Sequence, residues 1–298
     1  EGRLRVVTQL AFQTKAYPQV LKYGGEWTAA HADDTVILDL LARAHYIGKD
    51  YKSALEVSKT AIGIAEAAGK NPDELWLQLV PDCASKLGQQ SEIWVGFEKL
   101  VRFYGKTEHW KRALEGLLSI EKNNDLATFY AFRLMADVGV LAPDYYFEYS
   151  QRAVDQALPG EALKVLETGF EQKVIGADKD KEHYQRTVAD VRSKAQTDRA
   201  QLPALEKEWR ESKSRTGQLG AGLGLAYFGY QMYDQAIQTL EPSFEKGGLR
   251  NVDDYRMTLG IAYLRTGKKD KAREQFQQVP ANSPLNRVAQ FWIARTYN

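Results

Sequence analysis

The chain has 298 residues, 44% of them hydrophobic and 27% charged, and its 40 basic and 39 acidic side chains leave a net charge of +1. That balance excludes a global electrostatic drive toward nucleic acid or an anionic membrane, and no run of about 18 apolar residues exists to span a bilayer. A single cysteine, Cys83, excludes both an internal disulfide and a multi-cysteine metal site.

Along the chain a small or apolar position recurs at Val20, Ala54, Ile93, Ala127, Ala162, Ala200, Ala236 and Ala272, with separations of 34, 39, 34, 35, 38, 36 and 36 residues. A period in this range means stacked helical hairpins. The expectation is therefore an all-α, right-handed superhelical solenoid of about eight hairpins, forming one elongated domain over 1–298 because each unit touches only its neighbours.

Glu1 to Asp34 already reads as a hairpin, with Val7 and Phe12 on its first helix and Tyr17 and Val20 on its second. The chain starts without a charged n-region and apolar h-region, which leaves two expectations open: a signal peptide has been removed, or the chain is a piece of a longer array. Leu38, Leu41 and Ala42 precede the turn Gly48-Lys49-Asp50 and then Tyr51 and Ala54, the second hairpin. Glycine or proline is expected to halt the first helix at such turns, again at Gly88, at Pro159-Gly160 and at Gly267. Cys83 falls on a predicted helix and reads as a small buried packing residue. The middle units are worn: Ile93 stands where alanine is usual, and Glu115 where a small residue belongs.

After Pro143 the run from Asp144 to Tyr149 is the densest aromatic stretch. Rings at successive helical positions point to all sides, so core filling is the default and a partner site the sharper alternative. The alternating charges from Asp178 to Glu182 suit a solvated helix start, since a nucleic-acid patch would be one-signed. Gly217, Gly220, Gly222 and Gly224 loosely resemble a dinucleotide loop, but no strand precedes them and Gly224 falls on the small position of the repeat. They imply a close backbone approach or a frayed helix start, since three glycines in one helix cost about 2–3 kcal/mol against alanine.

The last unit carries Leu259, Gly260, Ala262 and Tyr263, then Gly267, then Ala272, Phe276 and Val279. Leu-Gly-x-x-Tyr followed by Ala-x-x-x-Phe resembles the tetratricopeptide repeat. Gly260 is expected to meet Ala272 where the two helices cross, with Tyr263 and Phe276 beside the contact. Leu223, Gly224, Tyr227, Tyr233 and Ala236 repeat the pattern one unit earlier.

Catalytic constellations are not expected. His31, His45, His109 and His183 belong to no metal-binding helical spacing, and there is no nucleophile elbow or phosphate-cradling loop. Asp33-Asp34 and Asp253-Asp254 fall at helix starts, where acids cap free N–H groups. No cofactor or metal is implied.

A solenoid of this kind offers a concave groove lined by the first helix of each hairpin. Counting in register places Arg5, Gln9, Asp39, Arg43, Tyr46, Arg112, Phe147, Gln151, Gln185, Arg192, Phe228 and Arg256 inward. Recurrent arginines and aromatics suit capture of a protein or peptide segment, by bidentate pairing to carboxylates and by stacking.

Gly69 to Leu79 with Trp76, Leu100 to Tyr104, His109-Trp110, Ala162 to Ile175 with Gly169, Glu245 to Leu249, and Gly260 to Tyr263 resemble the exported proteobacterial tetratricopeptide proteins often encoded beside TonB-ExbB-ExbD genes. The likeness covers about the last three quarters of the chain by repeat phasing. It implies a periplasmic, protein-binding accessory, and that family offers no catalytic residues to transfer. Asn123-Asn124-Asp125 and the segment after Ile175 depart from it.

The leading expectation is therefore a non-enzymatic scaffold of the cell envelope, holding a segment of a partner that belongs to a TonB-type system. The alternatives are a cytoplasmic adaptor or co-chaperone, and the helical arm of a larger envelope glycan-processing enzyme. A carboxylate-clamp adaptor would need Lys and Asn inward in adjacent repeats, where Arg5, Gln9, Asp39 and Arg43 stand.

Overall fold

The computed structural model describes residues 2–121, 123–177 and 180–298. The described residues form α-helices joined by turns: α1 (Arg3–Gln13), α2 (Tyr17–Thr28), α3 (Thr35–Ile47), α4 (Tyr51–Ala67), α5 (Glu74–Leu87), α6 (Gln90–Phe103), α7 (Thr107–Glu121), α8 (Asp125–Asp137), α9 (Tyr145–Asp155), α10 (Pro159–Glu171), α11 (Lys181–Glu211), α12 (Gln218–Gly229), α13 (Tyr233–Lys246), α14 (Val252–Arg265), α15 (Lys269–Gln277) and α16 (Asn286–Arg295). They fall into two compact units, Glu1–His109 and Trp110–Asn298, with the division inside α7.

The chain is an all-α solenoid of helix hairpins, and its turns have one local solution. α1/α2, α3/α4, α5/α6, α9/α10, α12/α13 and α14/α15 pack as hairpins. Each turn holds a residue in the left-handed region, at Lys15, Lys49, Gly88, Ala157, Gln231 and Gly267 respectively. That conformation ends the first helix and turns the chain back. Glycine, which carries no Cβ penalty there, occupies only two of the six positions; in Gly48-Lys49-Asp50 it is Lys49 that takes the positive φ, at 62°. Asp34, Asp50, Asp73 and Asn124 then cap the helices that follow them by accepting backbone N–H bonds.

In unit 1 the first helices α1, α3 and α5 lie side by side as one row. Its core joins Ala11, Val20 and Ala44 in one cluster and Trp27, Ile37 and Leu41 in another. Cys83 is buried as expected; burial, aided by the Asp82 charge, pushes its thiol up to about 11.

Unit 2 departs from the expected phasing. Where Ala200 should stand on the second helix of a hairpin, α11 is one helix of 31 residues. Its residues are mostly Ala, Glu, Gln, Lys and Arg, good helix formers with no glycine to stop them, and the helix runs through Pro203. One helix in place of two exchanges the rows, so α10, a second helix by the repeat count, lies beside α12, a first helix. The charged run 178–182 lies partly outside the described residues.

The small-residue positions are close approaches, and the side chain nearest to each lies one turn beyond the expected alanine. The atoms nearest to a Cβ built on Gly260 all belong to the ring of Phe276, one turn beyond Ala272. At Gly224 that Cβ would stand 2.6 Å from Leu240 Cγ, so Gly224 is where α12 meets α13.

Candidate functional site

The row α1, α3 and α5 of unit 1 is tied together by side chains that reach from one repeat to the next. Asp39 on α3 accepts a hydrogen bond from Trp76 Nε1 on α5 at 2.9 Å and pairs with Arg43 at 3.1 Å. The Arg43 guanidinium lies over the Phe12 ring of α1, 4.6 Å from its centre. Arg5 donates to Asp34 at 2.7 Å, and Trp27 Nε1 donates to the same oxygen. Further along, Glu74 accepts from Lys106 Nζ and lies 2.7 Å from His109 Nε2, and these bonds hold its carboxyl below the usual range.

Of the predicted inward residues, the structure thus joins Asp39 and Arg43 through Phe12 and Trp76, with Arg5, Gln9 and Tyr46 half-buried on the same helices. Tyr46 meets Tyr51 edge to face. Arg112 is exposed on α7. Phe147 packs on His183, Gln151 donates to Asp155, and Arg192 reaches Glu167 from α11, where Gln185 is also exposed. Arg256 turns to Phe244 and Gln278, toward α13 and the end of α15. Phe228 alone of the twelve faces the interior of unit 2.

That interior holds α8. Residues Ala127 to Met135 are buried without a break, as a helix must be when it is apolar on all sides. Tyr130 donates to Asp254 and shares a bond with Thr258 on α14, while Trp292 Nε1 on α16 donates to the Tyr130 carbonyl. Phe129 and Phe132 pack on Tyr149 of α9. At the far end of α8, Asp137 pairs with Arg265 and Arg295 at 2.7 and 2.6 Å. Asp254, expected as a helix cap, is instead the half-buried acceptor for Tyr130.

At the centre of α8 stands Arg133. It forms a fork to Glu161 on α10, Nε to Oε1 at 2.7 Å and Nη2 to Oε2 at 2.6 Å, and Tyr149 also donates to Glu161. The guanidinium lies among the rings of Phe129, Tyr130 and Phe228. Burial opposes its charge, but the Glu161 carboxylate outweighs burial and holds the proton more firmly than usual. Burial, with Asp254 and Glu161 alongside, pushes the phenols of Tyr130 and Tyr149 well up, so both stay protonated donors. The remaining guanidinium nitrogen, Nη1, is buried without a hydrogen-bond partner.

Beside Arg133 a cavity of about 330 Å³ lies between α8 and the helices around it. Its floor is Arg133, Glu161, Phe228 and Trp292; its rim carries the exposed residues Lys164, Gln172, Gln231 and Arg265. Of these residues the sequence reading named only Phe228, although Arg133 is the one charge between Asp125 and Asp137 on an otherwise apolar helix, a pattern that marks a buried, paired charge. The aromatic stretch is mainly core: Tyr146 and Tyr149 are buried, Tyr145 and Phe147 half-buried.

Among the described residues no helix is long and apolar enough to cross a membrane, and no cluster of His, Cys, Asp or Glu could hold a metal ion. No family model and no curated protein matches the chain. Similar solved structures include the P58(IPK) tetratricopeptide-repeat domain, at 14% identity and a TM-score of 0.32, where 90% of this chain covers 66% of that one. Another is the Cut9-Hcn1 hetero-tetramer of the APC/C, at 13% and 0.31, where 97% of this chain covers 48% of that one. A tetratricopeptide repeat protein from Parabacteroides merdae matches at 12% and 0.31 over 100% of each chain. The chain thus spans less than two thirds of the first and about half of the second. At these scores the fold assignment rests on the helix pairing within the chain itself.

Proposed function

We propose that the chain is a non-enzymatic, protein-binding scaffold of the bacterial cell envelope that captures a segment of a partner along the inner row of unit 1. The observation that carries this is α8: in unit 2 the helices α10, α12 and α14 accept a complete helix against their faces, using one buried ion pair, tyrosine hydroxyls and aromatic packing. The row α1, α3 and α5 offers a partner comparable chemistry. Arg5 and Arg43 keep 38% and 40% of their side chains exposed, each already beside a carboxylate that an incoming acidic or C-terminal segment would replace. A periplasmic setting, with a partner from a TonB-type system, belongs to the same proposal and rests on the resemblance of the residues from Gly69 onward.

The test is affinity capture from envelope and cytosolic fractions with the parent chain and with Arg5→Gln plus Arg43→Gln. A partner held at low salt should be lost by the double variant and at high salt, while the thermal melt stays nearly unchanged. A partner held equally by both proteins, or equally at both salt concentrations, would show that the arginine row is not the binding face.

A further inference from the structure

We propose that the cavity of unit 2 binds a small organic carboxylate with an apolar or aromatic body. The first observation is Arg133 Nη1, a donor of a charged group that is buried and unpartnered although its other two nitrogens each bond to Glu161. A buried donor without an acceptor is costly, and more so when it is charged, so an acceptor belongs at this point. The second is the cavity that the Arg133 side chain helps to line: about 330 Å³, at the small end of the range for organic ligands.

The charge around the cavity selects an anion. Arg133 and Glu161 neutralise each other, and Asp137 offsets only one of Arg265 and Arg295. Lys164 at the rim adds a further positive charge, so the charged residues that line the cavity, Arg133, Glu161, Lys164 and Arg265, carry an excess of two, which Asp254 beside Tyr130 lowers without reversing. The floor presents a single free donor nitrogen, which suits one carboxylate; the several charged oxygens of a phosphate would go unmet there. Phe228, Trp292, Ile261 and Val165 supply apolar wall for the rest of the ligand. The carboxylate sits on Arg133 Nη1, its body lies against these side chains, and Lys164 stands at the entrance. This inference is independent of partner capture by unit 1.

Calorimetric titration of the full chain with benzoate, 3-phenylpropanoate and octanoate, each beside its primary amide, and with inorganic phosphate, tests it. At least one carboxylate should bind saturably with one site per chain. Its amide should bind roughly tenfold or more weakly, the loss of a charge-assisted hydrogen bond, and phosphate should not compete. Thr168→Trp, a wall position that makes no hydrogen bond to Arg133 or Glu161, should fill the cavity and abolish binding with the helical spectrum intact. Arg133→Met with Glu161→Gln removes both charges together and should abolish the preference for carboxylate over amide, which keeps the test decisive if the tryptophan variant does not fold. Failure of all three carboxylates to bind, equal binding of acid and amide, or binding that survives in a folded Thr168→Trp protein would overturn the proposal.

Discussion

Arg133 and Glu161 exclude water from a charge pair, and such pairs are sensitive to loss of one member. Glu161→Ala should cost about 3–5 kcal/mol because it strands a buried guanidinium. Arg133→Met with Glu161→Gln should cost much less, and denaturant midpoints of the two variants compared with the parent check this. The glycine of the last unit is constrained by shape. A Cβ at Gly260 would stand 2.8 Å from Phe276 Cδ1, inside a ring that is fully buried and cannot swing aside. Gly260→Ala should therefore destabilise by roughly 1–3 kcal/mol, and a Gly260→Ala protein as stable as the parent would show that α14 and α15 can separate freely. Gly260 was legible in the sequence as a crossing point with Phe276 beside it, but that the Phe276 ring comes nearest was not, because the register of α15 against α14 is set by where that ring fits.

At the scale of elements, Glu74 ties α5 to the segment from Lys106 to His109. The side-chain bonds from Lys106 and then His109 lower its pKa below 4.5. A depressed acid contributes stability that is fully present above its unfolded value and is lost as pH falls through the folded one. Acidification from about pH 4.5 downward should thus loosen this end of unit 1, and Glu74→Gln should flatten that part of the stability curve. A curve for Glu74→Gln that overlays the parent would remove the tie from the account. Hairpin turns were placed correctly by the repeat, yet the residue in the left-handed position was not always the glycine nearby. At the third turn Gly88 takes that position; at the second, Gly48 stays at negative φ and Lys49 takes it.

Across the whole molecule, protection against hydrogen exchange should differ sharply between two helices of unit 2. α8 is enclosed by α9, α10, α12, α14 and α16 and should exchange only with the global opening of the unit. α11 buries only Val188, Val191, Ala195 and Leu202 along 31 residues and should exchange by local opening. Exchange mass spectrometry that finds α11 as protected as α8 would contradict the arrangement. Since contacts in a repeat array are local, Glu161→Ala should speed exchange in α8 and α10 and leave α1 to α4 unchanged.

The sequence by itself determined the helical class, the hairpin spacing in unit 1 and the last two hairpins, and the burial of Cys83, because all of these follow from local periodicity, turns and small-residue positions. Only the tertiary structure decided that α8 is enclosed by helices up to about 160 residues away. Periodicity could show that α8 is apolar on every side, but no local signal names what encloses it. The partners of Arg133, Tyr130 and Asp137 come from α10, α14 and α16, and the cavity beside Arg133 exists only because those distant helices close around it.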